Sequence, residues 1–252
     1  MIIDAYTHCG VEKFRPIEDV RAMMEANGIS RAVLAQHLGQ FDNSYIADCV
    51  LASPEDLVGV AMVDTAAADA ERALAEVIAH PAFAGLRMTA PMLVQAPHIA
   101  SQALASGLHL VLYCPDGIET IADTLAHLAD GPGRIVVTHL GSPIVEGDEV
   151  VRGTEILRLA VDPRVMVTLS GAGMACAPPH EPLRPLVRSV VQAFGADRVM
   201  WASNFPVVGD IEQVCVDLEL TRSNSWGIDE AGLALVLGES AECTWFAGRN
   251  RT

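Results

Sequence analysis

Four short segments carry side chains suited to moving protons or holding an anion. Tyr6-Thr7-His8 opens the chain, Gly85-Leu86-Arg87 lies in the first half, Thr138-His139 past the midpoint, and Ala202-Ser203-Asn204 near the end. A neutral imidazole works near neutral pH, so His139 is the candidate general acid or base. His8 can bind a carboxylate or polarise a carbonyl. Arg87 can hold a carboxylate through two parallel hydrogen bonds. Its alternative is a structural ion pair with Asp64 or another barrel acid. Tyr6, Tyr113 and Asn204 can donate hydrogen bonds to a developing oxyanion; their alternative is a hydrogen-bonded plug. His37 and His180 are candidates to contact substrate, with surface roles as the alternative. Cys9 and Cys114 lie near His8, where a Cys–His nucleophile is conceivable, although buried cysteine is common as a small hydrophobe.

Such groups converge only if the chain brings strand ends together. Eight short β-branched runs stand out: Ile2–His8, Arg31–His37, Leu57–Val63, Phe83–Thr89, His109–Cys114, Arg134–His139, Arg164–Ser170 and Arg198–Asn204. Between them lie stretches with apolar residues at three-to-four spacing, such as Ile17–Asn27, Asn43–Ala52, Ala66–Ala79, Ile118–Ala129 and Pro182–Phe194. Asp19 and Asp42 mark helix starts, and Gly28 and Gly195 mark ends. Strands such as Ile135-Val136-Val137 are apolar on both faces, which fits a parallel sheet covered by helices. Eight strand–helix units in 252 residues predict an α/β fold, one (β/α)8 TIM barrel over residues 1–252. A doubly wound sheet would want a glycine-rich turn after the first strand, and Thr7-His8-Cys9-Gly10-Val11 supplies none. In a barrel, alternation places Tyr6 and His8 on one face, and Arg87, His139 and Asn204 in the same mouth. The same rule puts Asp4 inward, where it would pair with Arg87 or another group. The Gly/Pro-rich stretch Gly171–Pro185 is a lid candidate.

The composition narrows the partners. Basic residues number 16 against 32 acidic ones, a net charge of −16. That excludes the basic face needed for nucleic acid or an anionic membrane. It also means that an anionic small-molecule substrate needs a local cationic pocket. The six cysteines form no C-x-x-C pair, consistent with reduced thiols in a cytoplasmic protein. No leader or membrane span is expected. A homo-oligomer is compatible with the sequence.

The motifs Tyr6-Thr7-His8, Val58-Gly59-Val60-Ala61-Met62-Val63-Asp64, Gly85-Leu86-Arg87, Val136-Val137-Thr138-His139-Leu140-Gly141 and Trp201-Ala202-Ser203-Asn204 resemble successive strands of the amidohydrolase-related family of metal-dependent barrels. That family carries His-x-His on the first strand, often a ligand His on the fifth, and usually Asp on the last. Here those places hold Tyr6, Tyr113 and Asn204, so only His8 persists. Two histidines, His8 and His139, fall short of the three ligands a catalytic zinc wants. The expectation is therefore a hydrolase without a cofactor, acting on a small carboxylated molecule, with a lactone the best candidate. The family includes lactonases that work without metal. Two alternatives stay open. One is a decarboxylase or hydrolase that recruits a divalent metal such as zinc through His8, His139 and further ligands such as His37 or His180. The other is a ligand-binding barrel that has lost catalysis.

Overall fold

The two-sided apolar runs form strands, and the amphipathic stretches between them form the helices that cover one face. The computed structural model describes residues 1–247, so the last five positions of the expected 1–252 domain lie outside the described residues. The strands are β1 (Ile3–Thr7), β2 (Arg31–Ala35), β3 (Leu57–Ala61), β4 (Phe83–Thr89), β5 (His109–Tyr113), β6 (Ile135–Val137), β7 (Ile144–Glu146), β8 (Glu149–Arg152), β9 (Val165–Leu169) and β10 (Val199–Trp201). The helices are α1 (Ile17–Asn27), α2 (Ser44–Leu51), α3 (Ala70–Ala79), α4 (Ala90–Gln95), α5 (Pro97–Ala105), α6 (Ala122–Ala126), α7 (Ala172–Ala175), α8 (Arg184–Phe194), α9 (Ile211–Arg222) and α10 (Glu230–Ala234). Eight strands form one sheet in the order β1-β2-β3-β4-β5-β6-β9-β10, and each ladder is parallel. Gly28 ends α1 with φ +65°, the left-handed cap that glycine adopts without strain. Between β6 and β9 the chain inserts a β7–β8 hairpin, which the periodicity of the sequence does not announce. Among the described residues no helix is long and apolar enough to cross a membrane.

Alternation sorts the strand residues into two packed layers. Ala32, Leu34, Leu57, Leu86, Leu110, Val137 and Val167 face the helices. Ile3, Val33, Val58, Val60, Val111, Val136, Met166 and Met200 fill the barrel interior. Trp245 stoppers the barrel at the strands' N-terminal ends, 1% exposed, with the His109 ring edge-on at 4.9 Å. A Cβ on Gly85 would sit 3.3 Å from the Trp245 ring, so the glycine leaves room for the stopper.

The barrel closes where the first strand meets the last. Asn204 N donates to Tyr6 O at 3.0 Å, and His8 N to Phe205 O at 2.9 Å. Asp4, fully buried, accepts from Ser203 N at 2.9 Å, from the Ser203 hydroxyl and from Tyr6 N at 3.2 Å. This corrects the expectation that Asp4 lies inward beside Arg87. The β1–β2 register slips between Asp4 and Thr7, so Asp4 and Tyr6 do not share a face. Burial pushes the Asp4 carboxyl up to about 6, against the lowering effect of its Ser203 and Tyr6 hydrogen bonds.

Two tests follow from this architecture. The folded chain holds the Asp4 proton that the unfolded chain releases between about pH 4 and 6, so this carboxyl lowers stability as pH rises through that window. Asp4→Asn keeps the acceptor for the two backbone N–H groups and cannot ionise. Its stability relative to wild type should therefore rise by on the order of 2 kcal/mol between pH 4 and 7. Parallel denaturation curves with a constant offset across that range would rule this out. Trp245→Ala should cost about 3–5 kcal/mol by emptying the barrel floor, read as a lower urea midpoint.

Candidate active site

Seven strand-end side chains meet at the C-terminal mouth. The Tyr6 ring takes the His8 ring edge-on at 4.8 Å and the His139 ring at 5.3 Å. Tyr113 lies edge-on to His139 at 5.7 Å. The Arg87 guanidinium carbon stands 5.5 Å from the Tyr6 ring centre and 6.0 Å from that of Tyr113. Asn204 follows β10, and its amide nitrogen donates to the Met174 sulfur at 3.4 Å. His37 stands at the rim, its ring 5.6 Å from Phe14. Tyr6, His8, Arg87, His139 and Asn204 are each 5% exposed or less. Phe14 stacks on His8 at 4.7 Å, and Met174 on α7 touches Asn204, so these two side chains roof the mouth. The start of the Gly171–Pro185 stretch thus lies against the mouth through Gly171 and Met174, and it folds α7 rather than running as plain loop.

His139 reaches the mouth by a different route from the one alternation suggests. β6 ends at Val137, whose side chain faces the helices, so an extended chain would turn His139 outward as well. Instead His139 and Leu140 adopt φ +56° and +53°, which swings the imidazole inward. Such backbone is uncommon outside glycine, and strain of this kind clusters at functional sites. Gly171, at φ +66°, makes room for the ring: a Cβ there would come 2.8 Å from His139 Nδ1.

Several polar atoms in the cluster lack partners among the described residues. Arg87 gives one hydrogen bond, from Nη1 to Gln36 O at 2.5 Å, and its buried Nε has no partner. No ion pair to Arg87 exists among the described residues, because Asp4 is committed to Ser203 and Asp64 caps its own loop through Ala66 N. Among the described residues the Tyr6 hydroxyl and Asn204 Oδ1 are also buried without hydrogen-bond acceptors or donors in range. Burial, reinforced by the Arg87 charge, lowers His139 to about 3 and holds His8 well below the ordinary imidazole range. Burial raises the Tyr6 phenol, which Arg87 only partly offsets.

Other candidates lie elsewhere or are inert. His180 is fully buried, with Nδ1 2.8 Å from Cys176 O, Nε2 3.2 Å from Asp217 on α9 and its ring stacked on Trp226. Those contacts occupy both ring nitrogens, and none is with the mouth cluster. The surface role read from the sequence is therefore wrong, since the ring anchors the loop to α9. The Cys9 thiol packs in the helix-facing layer, and contact with Cys49 and burial push it well above the usual thiol range. Burial takes Cys114 to about 12. Neither is a ready thiolate. The sequence reading missed Gln36, Phe14, Thr168 and Ser170. Alternation from Met166, an interior residue, through Thr168 to Ser170 is the signal that points to the last two.

The donor set suits an anion better than a cation. Two imidazoles, two phenols and an amide surround a fixed guanidinium, and among the described residues no group of three or more His, Cys, Asp or Glu side chains is placed to hold a metal ion. A divalent metal needs several deprotonated, convergent ligands, and Arg87 would repel it. These residues do not fit the metal that the resemblance implies.

Known proteins share this frame. The chain is 29% identical over 201 residues to an L-fucono-1,5-lactonase of Burkholderia ambifaria, covering 75% of this chain and 69% of that one. A Pseudomonas putida protein provisionally named a 2-pyrone-4,6-dicarboxylic acid hydrolase superposes with a TM-score of 0.77 at 21% identity, covering 100% of this chain and 98% of that one. An amidohydrolase of Burkholderia multivorans with bound zinc superposes with a TM-score of 0.79 at 16% identity, covering 97% and 98%. These two likenesses show the shared barrel. The amidohydrolase family model matches residues 12–245, nearly the whole barrel, and the chain belongs to that family of hydrolases.

Proposed function

We propose that the protein hydrolyses a small carboxylated lactone without a metal, with Arg87 holding the carboxylate and His139 serving as the acid–base group. The observation that carries this reading is the buried Arg87 without an acidic partner. A buried cation is costly unless it is paired, and a substrate carboxylate is the natural counter-ion. The relative that is 29% identical is named a lactonase, which supports the ring-opening reaction. A lactone also has an activated acyl carbon, so water attack needs less electrophilic help than amide hydrolysis. In the reaction, water adds to the acyl carbon, the ring carbon–oxygen bond breaks, and a hydroxy acid forms. Tyr6, Tyr113 and Asn204 line the place where charge develops. The carboxylate would also cancel the Arg87 field that adds to burial in depressing both histidines, so binding and proton transfer are coupled.

The metal-dependent alternative needs ligands beyond His8 and His139. His180 is occupied by Asp217 and Cys176, which weighs against it. Elemental analysis of the purified protein tests this directly: stoichiometric zinc or manganese bound at His8 would replace the metal-free reading.

Arg87→Met should raise KM for a carboxylated lactone by about 30-fold or more, the equivalent of about 2 kcal/mol. Its melting temperature should hold or rise, because an unpaired buried charge is removed. Arg87→Lys should also raise KM, since an ammonium cannot make the planar two-pronged contact. Unchanged KM in Arg87→Met would exclude the clamp. His139→Ala should lower kcat by about 10²-fold, and equal turnover would remove His139 from the mechanism.

A further inference from the structure

The two mouth histidines are bonded in opposite senses. His8 Nδ1 lies 2.6 Å from Ala35 O. A carbonyl only accepts, so Nδ1 carries the hydrogen, and a neutral His8 offers the Nε2 lone pair. His139 Nδ1 instead lies 2.8 Å from the Ser170 hydroxyl, which can donate or accept. The Ser170 and Thr168 hydroxyls are 2.8 Å apart, and His139 N approaches them at 3.2 and 3.3 Å. One orientation satisfies both hydroxyls, the His139 backbone N–H and His139 Nδ1. Thr168 donates to Ser170, Ser170 donates to His139 Nδ1, and the His139 backbone N–H is shared between the two oxygens. Reversing the chain would leave the fully buried Thr168 hydroxyl proton with no acceptor, a destabilising arrangement. His139 then carries its hydrogen on Nε2, which has no protein partner.

We propose that Ser170, backed by Thr168, is a positioning residue that fixes His139 as an Nε2–H donor, while Ala35 O fixes His8 as an Nε2 proton acceptor. This moves the proton transfers that the lactonase reading placed on His139 to His8, and leaves His139 to polarise the carbonyl as a hydrogen-bond donor. Water's oxygen bonds to the acyl carbon as its proton passes to His8 Nε2. The carbonyl oxygen gains its charge against the His139 Nε2–H. Collapse breaks the acyl–oxygen bond of the ring, and the His8 proton moves to the departing oxygen. One water is consumed, and both rings return to their starting forms. The Tyr6 ring stands between the two imidazoles, edge-on to each. A neutral imidazole that polarises a carbonyl needs a depressed basicity, and the buried position of His139 beside Arg87 provides it. Asn204, standing where the family usually has an acid, cannot take the proton, which leaves that task to His8.

The division rests on the lactonase reading for its substrate but not for its test. Nitrogen-15 NMR of histidine-labelled, substrate-free protein near pH 7.5 distinguishes protonated from bare ring nitrogens (~1 unit above the free imidazole range). Assignment uses His8→Gln and His139→Gln. His139 should show a protonated Nε2 and a bare Nδ1, and His8 the reverse. In Ser170→Ala, His139 should lose its single-tautomer signature, Ser170→Thr should restore it, and His8 should stay unchanged. A protonated His139 Nδ1 in wild type, or the same tautomer on both rings, overturns the proposal. An unchanged His139 in Ser170→Ala removes Ser170 from it. Wild-type spectra decide the tautomers even if Ser170→Ala fails to fold. Opposite tautomers in a protein that turns over no lactone would retire the substrate reading and keep the division of roles.

Discussion

An unpaired guanidinium inside the barrel mouth governs the chemistry around it. Arg87 is 5% exposed and has one backbone carbonyl for company. Burial, reinforced by its field, keeps His8 and His139 neutral, and the same field draws the Tyr6 phenol partway back toward ionisation against burial. A molecule with net charge −16 drives anions away at long range. This one cation is buried where an anion that does enter meets little competing water. Low dielectric makes such a contact strong, and the same low dielectric makes the empty site unfavourable.

Around that charge, the family's barrel has kept its frame and changed its tools. His8 remains just past the end of β1, but Tyr6 and Asn204 stand where the resemblance puts metal ligands. The orphaned Tyr6 hydroxyl and Asn204 Oδ1 face the mouth with unused hydrogen-bonding capacity. The Thr168 and Ser170 hydroxyls at the C-terminal end of β9 and the Ala35 carbonyl bond the two imidazoles from behind. Outer partners of this kind fix the orientation of a histidine whether or not a metal sits in front of it.

Much of this was legible in the sequence because the signals were local. Short β-branched runs, several of them apolar on both faces, announced the barrel strands, and strand-end placement announced Tyr6, His8, Arg87, Tyr113 and Asn204. Gly28 and Gly195 announced helix ends that the structure bears out. What failed was non-local or conformational. Alternation gave the right place for His139 for the wrong reason, since left-handed backbone, not strand parity, turns it inward. The register slip in β1 hid the turn of Asp4 toward Ser203. The burial of His180 depends on α9 and Trp226, far along the chain, and no nearby pattern encodes it. The β7–β8 hairpin has exposed, mixed-polarity strands with no two-sided apolar run to mark them.

The seam between β1 and β10 ties the completion of the mouth to the closing of the ring. Asp4 and Ser203, 199 residues apart, bond across it, and the mouth takes Tyr6 and His8 from one side and Asn204 from the other. Loop closure over such a separation is slow and late. A nascent chain holds Tyr6 and His8 from its first moments, yet has no mouth until the β10 segment leaves the ribosome and docks. The mouth is therefore complete only once the ring has closed.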